Sequence, residues 1–288
     1  MSRHQPKFIP LRCRSPYSIL EGAIKIDELA ARCASWKMPA LGLTDTNNMC
    51  GVLEFSDILC KQGIQPIIGL TLSLDLNLDM QPGQLRKDAD GTVVLLAQNE
   101  IGYTHLMQLS SSAFLDVAAT DLPHIPISKL EGASEGIIAL TGGPDGALNR
   151  LICMGRLAEA ENWLDHLASI FPGNLYVELQ RHGWAREIEA EPILVEWAYA
   201  KGLPLVATNE PYFLEPTMHK AHDALLAISE GSYLLELERR KVTEQHYFKS
   251  EEQMVELFKD LPEALENTIE ISKPVSYTHL TLPTTPYV

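Results

Sequence analysis

Short apolar runs of strand length alternate with stretches of helical periodicity along most of the chain. That alternation restricts the fold to an α/β architecture with a mainly parallel sheet. Ile26, Leu29, Ala30 and Cys33 recur at helical spacing and lead into the strand-like run 38–45, MPALGLTD. The segment 65–80 starts as a buried strand and then alternates. Leu72, Leu74, Leu76, Leu78 and Met80 face one way and Ser73, Asp75, Asn77 and Asp79 the other, which predicts a solvent-facing half running into a loop at Pro82 and Gly83. A strand at 92–98 precedes a helix over roughly 100–117. A buried strand at 135–143 precedes a helix over about 155–171, with Leu157, Ala160, Leu164, Leu167, Ala168 and Phe171 on one stripe. Strands at 174–180 and 203–210 complete the series, and between them Pro192 suits the first turn of a helix burying Ile193, Leu194, Trp197 and Ala198. Six or more such units, with no GxGxxG after the first strand, favour a closed (β/α) barrel over a dinucleotide-binding sheet. A length of 288 residues suits one large domain of that kind.

Charge and cysteine usage narrow the function. A net charge of −15 argues against this stretch gripping a DNA backbone by itself. The five cysteines form no CxxC or zinc-ribbon spacing, and Cys33 and Cys60 fall in helical apolar patterns, as buried thiols would. No signal peptide and no apolar run of membrane length is present, so the expected location is cytoplasmic, away from a membrane. The last fourteen residues, VSYTHLTLPTTPYV, hold no acidic residue and do not continue the preceding helical pattern. They read as a tail foreign to the domain or as an extended linker, which leaves 1–274 as the domain and sets His279 aside.

In a (β/α) barrel the chemistry sits where strands end. Here those ends are Asp45-Thr46-Asn47-Asn48, Thr141-Gly142-Gly143, Gln180-Arg181-His182-Gly183 and Thr208-Asn209-Glu210. Glu21, Asp45, His182 and Glu210 are therefore candidates for divalent-metal ligands or acid–base groups. Asp45, followed by Thr-Asn-Asn, reads equally as a helix N-cap, and that reading is preferred. Upstream, LRCRSPYSILEG puts Arg12 and Arg14 on one side of a strand, just before Glu21; on an edge strand they would be ordinary surface residues. His222 reads as an orienting or capping group at a helix start, and Trp163, Trp184 and Trp197 as packing residues. The ERRK run at 238–241 is short, flanked by acids and weak as a DNA contact. Asp75 and Asp79 on an alternating strand, and Asp88 and Asp90 in a loop, read as solvated rather than as a two-metal carboxylate pair.

The stretches LRCRSPYSILEGA, MPALGLTDTNNMCGVLEF, GIQPIIG, LLAQNEIGYTHLMQL, EGIIALTGG, YVELQRHG, GLPLVATNEPYFL and AHDALLAI occur in an order and spacing that resemble one family. It is the polymerase-and-histidinol-phosphatase (PHP) domain at the N-terminus of bacterial DNA polymerase III alpha subunits, and the resemblance runs over about residues 7–273. It implies a (β/α)7-type barrel related to the TIM barrel, and a metal cluster in the active members. Several positions depart from that metal-binding pattern. Arg12-Cys13-Arg14 stands where active members have His-x-His, and Glu21 where they have Asp. Thr46, Thr71 and Thr92 replace His, Glu and His. Gly143 replaces Cys, and Glu210 with Tyr212 replaces the Asp and His of the last pair. Only His182 keeps its type.

Threonine and arginine cannot stand in for imidazole or carboxylate ligands, and arginine repels a cation. The resemblance with these departures implies that Arg12 and Arg14 take the space of the metals and neutralise Glu21, Glu210 and Asp45. No catalytic residue and no cofactor is then expected here; Mg²⁺ belongs to the polymerase domain of the parent, and one residual divalent ion at His182 and Glu210 is the lesser alternative. The implied role is a structural and proofreading-exonuclease docking module, inactive by itself, within a DNA-directed DNA polymerase. Its implied partners are the remainder of the alpha subunit, the exonuclease subunit and the replisome, with DNA reached only through other domains. The alternatives are an active metal-dependent phosphoesterase or 3′–5′ exonuclease, and an error-prone type of alpha subunit.

Overall fold

A computed structural model describes residues 5–76, 90–118, 120–236 and 238–273. Its strands are β1 (Ala40–Leu43), β2 (Gln65–Asp75), β3 (Gly91–Ala97), β4 (Ile125–Pro126), β5 (Ile137–Leu140), β6 (Leu175–Leu179) and β7 (Leu205–Ala207). Around them lie α1 (Ile26–Ser35), α2 (Val52–Lys61), α3 (Glu100–Leu115), α4 (Ser128–Glu131), α5 (Ala147–Cys153) and α6 (Leu157–Ile170). The series ends with α7 (Ala185–Lys201), α8 (His219–Glu230), α9 (Glu251–Leu257) and α10 (Pro262–Ser272).

The strands form one curved sheet in the order β1-β2-β3-β5-β6-β7, with β4 beside the far end of β2. Pairing is parallel for β1 with β2, β2 with β4, β5 with β6 and β6 with β7, so the α/β class and mainly parallel sheet expected from the alternation are present, as a half-barrel in place of the closed barrel. β3 is the exception, antiparallel to both β2 and β5. Because its two faces are covered, the sheet reads as apolar runs: Ile67, Ile68, Leu70, Val93, Val94, Leu95, Ile137, Leu140 and Val177 are all buried.

Among the described residues no ladder joins β7 to β1. The extended segment 8–14 runs beside β1, with Gly42 N–H donating to Pro10 O at 2.7 Å and Thr44 N–H to Cys13 O at 2.9 Å. Ile9 N–H donates to Thr268 Oγ1 at 2.9 Å, tying the same segment to α10, which packs on β7. Arg12 and Arg14 are thus not on an exposed edge strand; they are 0% and 3% exposed. The approach of this segment to β1 depends on Gly42, where an added Cβ would come within 2.1 Å of Leu11 O. Gly42→Ala is expected to lower stability by about 1–3 kcal/mol, the usual cost of forcing atoms into a packed interior, as a reduced urea midpoint.

Three sequence expectations change in the fold. The helix expected to begin at Pro192 begins at Ala185, and Pro192 lies inside it with its ring toward solvent. Proline removes one helical hydrogen bond, but α7 buries Ala190, Leu194 and Ala198 and has the Glu187 carboxylate bonded to the Trp184 N–H at its N-terminus. Ile193 and Trp197 are half-buried against the core rather than fully covered. The second half of β2 is not solvent-facing: Leu72, Ser73 and Leu74 are all buried, Ser73 through hydrogen bonds with Asn47. Asn77, Leu78, Asp79, Met80, Pro82, Gly83, Asp88 and the 275–288 tail lie outside the described residues. Cys33 is buried, its thiol pushed up to about 12 by burial, whereas Cys60 is only half-buried.

Candidate functional site

β6 is an apolar strand interrupted by one carboxylate, Glu178, whose side chain is fully buried. Burying a charge without a partner is costly, so such a residue requires compensation. Arg12 supplies it from the segment beside β1, with Nη1 donating to Glu178 Oε1 at 2.9 Å. The same carboxylate accepts Gly142 N–H at 3.1 Å, Gln180 Nε2–H at 3.0 Å and the Thr208 hydroxyl. Arg12 thereby crosses the open side of the sheet from β1 to β6.

The other half of the Arg12 guanidinium reaches the loop after β7, with Nη2 donating to Glu210 Oε1 at 2.5 Å. Arg14 Nε donates to that same oxygen at 2.6 Å, and its Nη1 pairs with Glu21 and the Thr46 hydroxyl. Arg240 completes the chain at the rim, donating to the second oxygen of Glu21 at 2.6 Å. Three guanidinium groups thus face three carboxylates at the strand ends. Burial alone would raise the pKa of Glu210, but Arg12 and Arg14 more than offset it and hold the carboxyl at about 2. Glu21 is likewise held at about 2, with burial opposed by Arg14 and Arg240. Tyr212 lies under Arg14, whose Cζ is 5.1 Å from the ring centroid, and burial raises its phenol.

Asp45 is not a helix cap, because α2 begins at Val52 behind Gly51. Nor is it ion-paired: it accepts Ser15 N–H at 2.8 Å and the Ser15 and Ser18 hydroxyls, each at 2.6 Å. Burial raises its pKa and these donors oppose the rise. Asp45 therefore fixes the turn that carries Arg14 toward Glu21. Thr71 supports the same corner, donating to Thr44 O at 2.9 Å and accepting Asn47 N–H through its carbonyl at 2.8 Å. His222 does act as an orienting group, its Nε2 2.7 Å from the Glu21 carbonyl oxygen.

Three of the sequence-derived positions stand apart from the arginines. Gly143 has φ +59°, and a Cβ there would meet Gln180 at 2.9 Å. Thr92 sits opposite Gly146 with its hydroxyl unpartnered. His182 belongs to a second buried network, with Nδ1 2.8 Å from Glu187 Oε1 and Nε2 3.1 Å from Asn209 Oδ1. Lys249 Nζ donates to that Asn209 oxygen at 2.9 Å, and His246 stacks on His182 at a centroid distance of 3.8 Å. Burial, reinforced by Lys249, holds His182 down at about 3, and burial raises Glu187 to about 7 against its backbone donors.

A metal cluster fits neither network. At the strand ends two guanidinium groups occupy the interior, and the Glu210 oxygen nearest them already accepts from both. Among the described residues His182, Glu187 and His246 form the one trio of possible ligands within reach of one another. There His182 has both ring nitrogens engaged, His246 Nδ1 accepts Thr243 N–H at 3.1 Å, and the Lys249 ammonium faces the same residues.

The PHP domain family model matches residues 10–182, more than half of the chain. The chain belongs to the PHP domain family. A DNA polymerase III subunit alpha from Caulobacter vibrioides is 47% identical over 266 residues, which are 92% of this chain and 23% of that protein. One from Rickettsia conorii is 36% identical over 267 residues, 93% of this chain and 22% of that protein. This PHP chain thus spans about a quarter of the length of these relatives. No helix among its described residues is long and apolar enough to cross a membrane.

Several residues of the PHP site were not singled out by sequence reasoning. Glu178 had a readable signal, a single acid inside a buried strand. Arg240 had none, because ERRK reads as a solvated charge run; in the fold Arg239 instead grips Asp223 at 2.6 and 2.5 Å while Arg240 reaches Glu21. Glu187, His246 and Lys249 likewise carry no local pattern that joins them to His182.

Proposed function

We propose that this PHP domain is the N-terminal module of a DNA polymerase III alpha subunit, in which an arginine–carboxylate network stands in place of a metal cluster. The observation that carries this reading is the buried pairing of Arg12 and Arg14 with one Glu210 oxygen, at 2.5 and 2.6 Å. A cation placed there would meet two fixed positive charges and a carboxylate oxygen that already accepts from both. The module's work is then architectural. It holds the start of the chain to the sheet, and it offers surface to the rest of the alpha subunit, to a proofreading exonuclease subunit and to the replisome. Nucleotidyl transfer, with its Mg²⁺, belongs to parts of the parent polypeptide beyond this stretch. The net charge of −15 supports a division of labour in which DNA is held elsewhere.

The test is metal content after incubation with Mn²⁺ and Zn²⁺ followed by dialysis. Retention near zero in folded protein is expected. Stoichiometric retention of two or more ions, with hydrolysis of a phosphomonoester or of a DNA 3′ end, would return the phosphoesterase reading.

A further inference from the structure

The His182 network, in which both ring nitrogens are taken, fixes the place of a proton. Lys249 Nζ can only donate, so the Asn209 side-chain atom 2.9 Å from it is the oxygen, and Asn209 Nδ2 is left to donate to Tyr247 O at 2.9 Å. That same oxygen lies 3.1 Å from His182 Nε2, which must therefore carry a proton and donate it. A neutral His182 then has a bare Nδ1, and Nδ1 lies 2.8 Å from Glu187 Oε1. Two bare acceptors do not hold that distance without a donor, and here the side chains are 0% and 3% exposed. One proton lies between them.

Glu187 is the better seat for it. Its Oε2 accepts His182 N–H at 2.7 Å and Trp184 N–H at 3.2 Å, as the carbonyl oxygen of a protonated carboxyl does, while Oε1 faces the imidazole. A proton on Nδ1 instead would set a buried imidazolium near the Lys249 ammonium and against the His246 ring, stacked at 3.8 Å. His246 is itself neutral, since its Nδ1 accepts Thr243 N–H at 3.1 Å. The other charged groups around the pair are committed elsewhere, Glu210 to Arg12 and Arg14, and Arg186 to Asp145 at 3.1 Å.

We infer that Glu187 is a buried carboxylic acid donating its proton to His182, and that this proton is a pH-sensitive latch for the segment before α9. The latch acts through the same residues. The Thr243 hydroxyl donates to His182 O at 2.9 Å, and Asn209, oriented by His182 and Lys249, holds Tyr247 O. Burial raises Glu187 to about 7 and lowers His182 to about 3, the same order of proton affinity. A group raised in the folded state gives its full stabilisation below the unfolded value, about 4.5, and loses it as pH rises through about 7. Above neutrality a carboxylate therefore faces a bare nitrogen, and the latch loosens.

The test is ring 15N NMR of His182 in the unmodified chain at pH 6, joined to infrared spectroscopy and thermal unfolding of Glu187→Gln. Expected are a protonated Nε2 with a bare Nδ1, and a carboxylic-acid C=O band that Glu187→Gln removes. Glutamine offers an N–H to Nδ1 and an oxygen to the backbone donors, so the variant is expected within about 3 °C of the parent Tm at pH 6. Between pH 6 and 8 the variant is expected to gain about 3–5 °C on the parent, because only the parent loses the proton. A doubly protonated His182 at pH 6, or a proton on Nδ1 alone, would overturn the inference. So would a Tm difference between variant and parent that stays constant across that pH range.

Discussion

Arg12→Ala is expected to destabilise the fold by about 3–5 kcal/mol, the cost of stripping the partner from buried charges. This cost is at the upper end for a point mutation because Arg12 is fully buried and serves two carboxylates, Glu178 and Glu210, that are themselves buried. Its loss also cuts the bridge from the β1 side to β6 and β7, where no strand ladder exists among the described residues. In a domain of this size the change corresponds to a fall in Tm of about 10 °C. Arg12→Lys is expected to recover only part of the loss, because one ammonium cannot reproduce a fork that reaches two carboxylates at 2.9 and 2.5 Å. An Arg12→Ala protein with unchanged Tm would mean that Glu178 and Glu210 do not need the guanidinium. Replacing the whole network by well-packed apolar residues is a different experiment and can be neutral, since buried ion pairs contribute little net stability.

Acid is expected to destabilise the protein progressively from about pH 6 downward, above the range in which ordinary carboxylates titrate. Burial holds His182 at about 3 and His246 lower still, whereas an unfolded imidazole titrates near 6.5. Between those values the unfolded chain binds protons that the folded one does not, so stability falls as pH drops below about 6.5. Glu21 and Glu210, depressed to about 2, add a further loss of the same sign from about 4.5 down to about 2. Glu187 opposes part of this. Raised to about 7, it is protonated in the folded state before it is in the unfolded one, so its contribution falls as pH rises from about 4.5 to 7. Near pH 5 the sum is an uptake of about two protons on unfolding, a slope of about 2–3 kcal/mol per pH unit. Urea unfolding at pH 7, 6 and 5 measures that slope directly. A flat profile over this range would show that the two histidines are protonated in the native state. His246→Gln is expected to remove about one proton from the uptake.

The strands and most helices were legible because their signal is local. An apolar run such as IIAL at 137–140, or a stripe such as Ala160, Leu164 and Leu167, states its burial within one element. The errors came where a longer-range contact outweighed the local signal. Pro192 marks a helix start by its own chemistry, but the helix begins seven residues earlier because packing of Ala190, Leu194 and Ala198 outweighs one missing hydrogen bond. Ser73 alternates like a surface residue and is buried because Asn47 meets it. Asp45 has the neighbours of a cap and instead accepts from Ser15 and Ser18, some thirty residues upstream.

The site divides in the same way. Sequence by itself determined the family and the α/β class, and it set Arg12 and Arg14 two residues apart shortly before Glu21, since each is a matter of residue identity and order. Only tertiary structure decided what neutralises what. Glu178, Glu210 and Arg240 lie 166, 198 and 228 residues beyond Arg12. They meet through β6, the end of β7 and the turn after α8, and no local pattern encodes that meeting. Charge pairing is set by distance in space and by exclusion of water, and both come into being only when the strand ends and the segment beside β1 pack around the arginines.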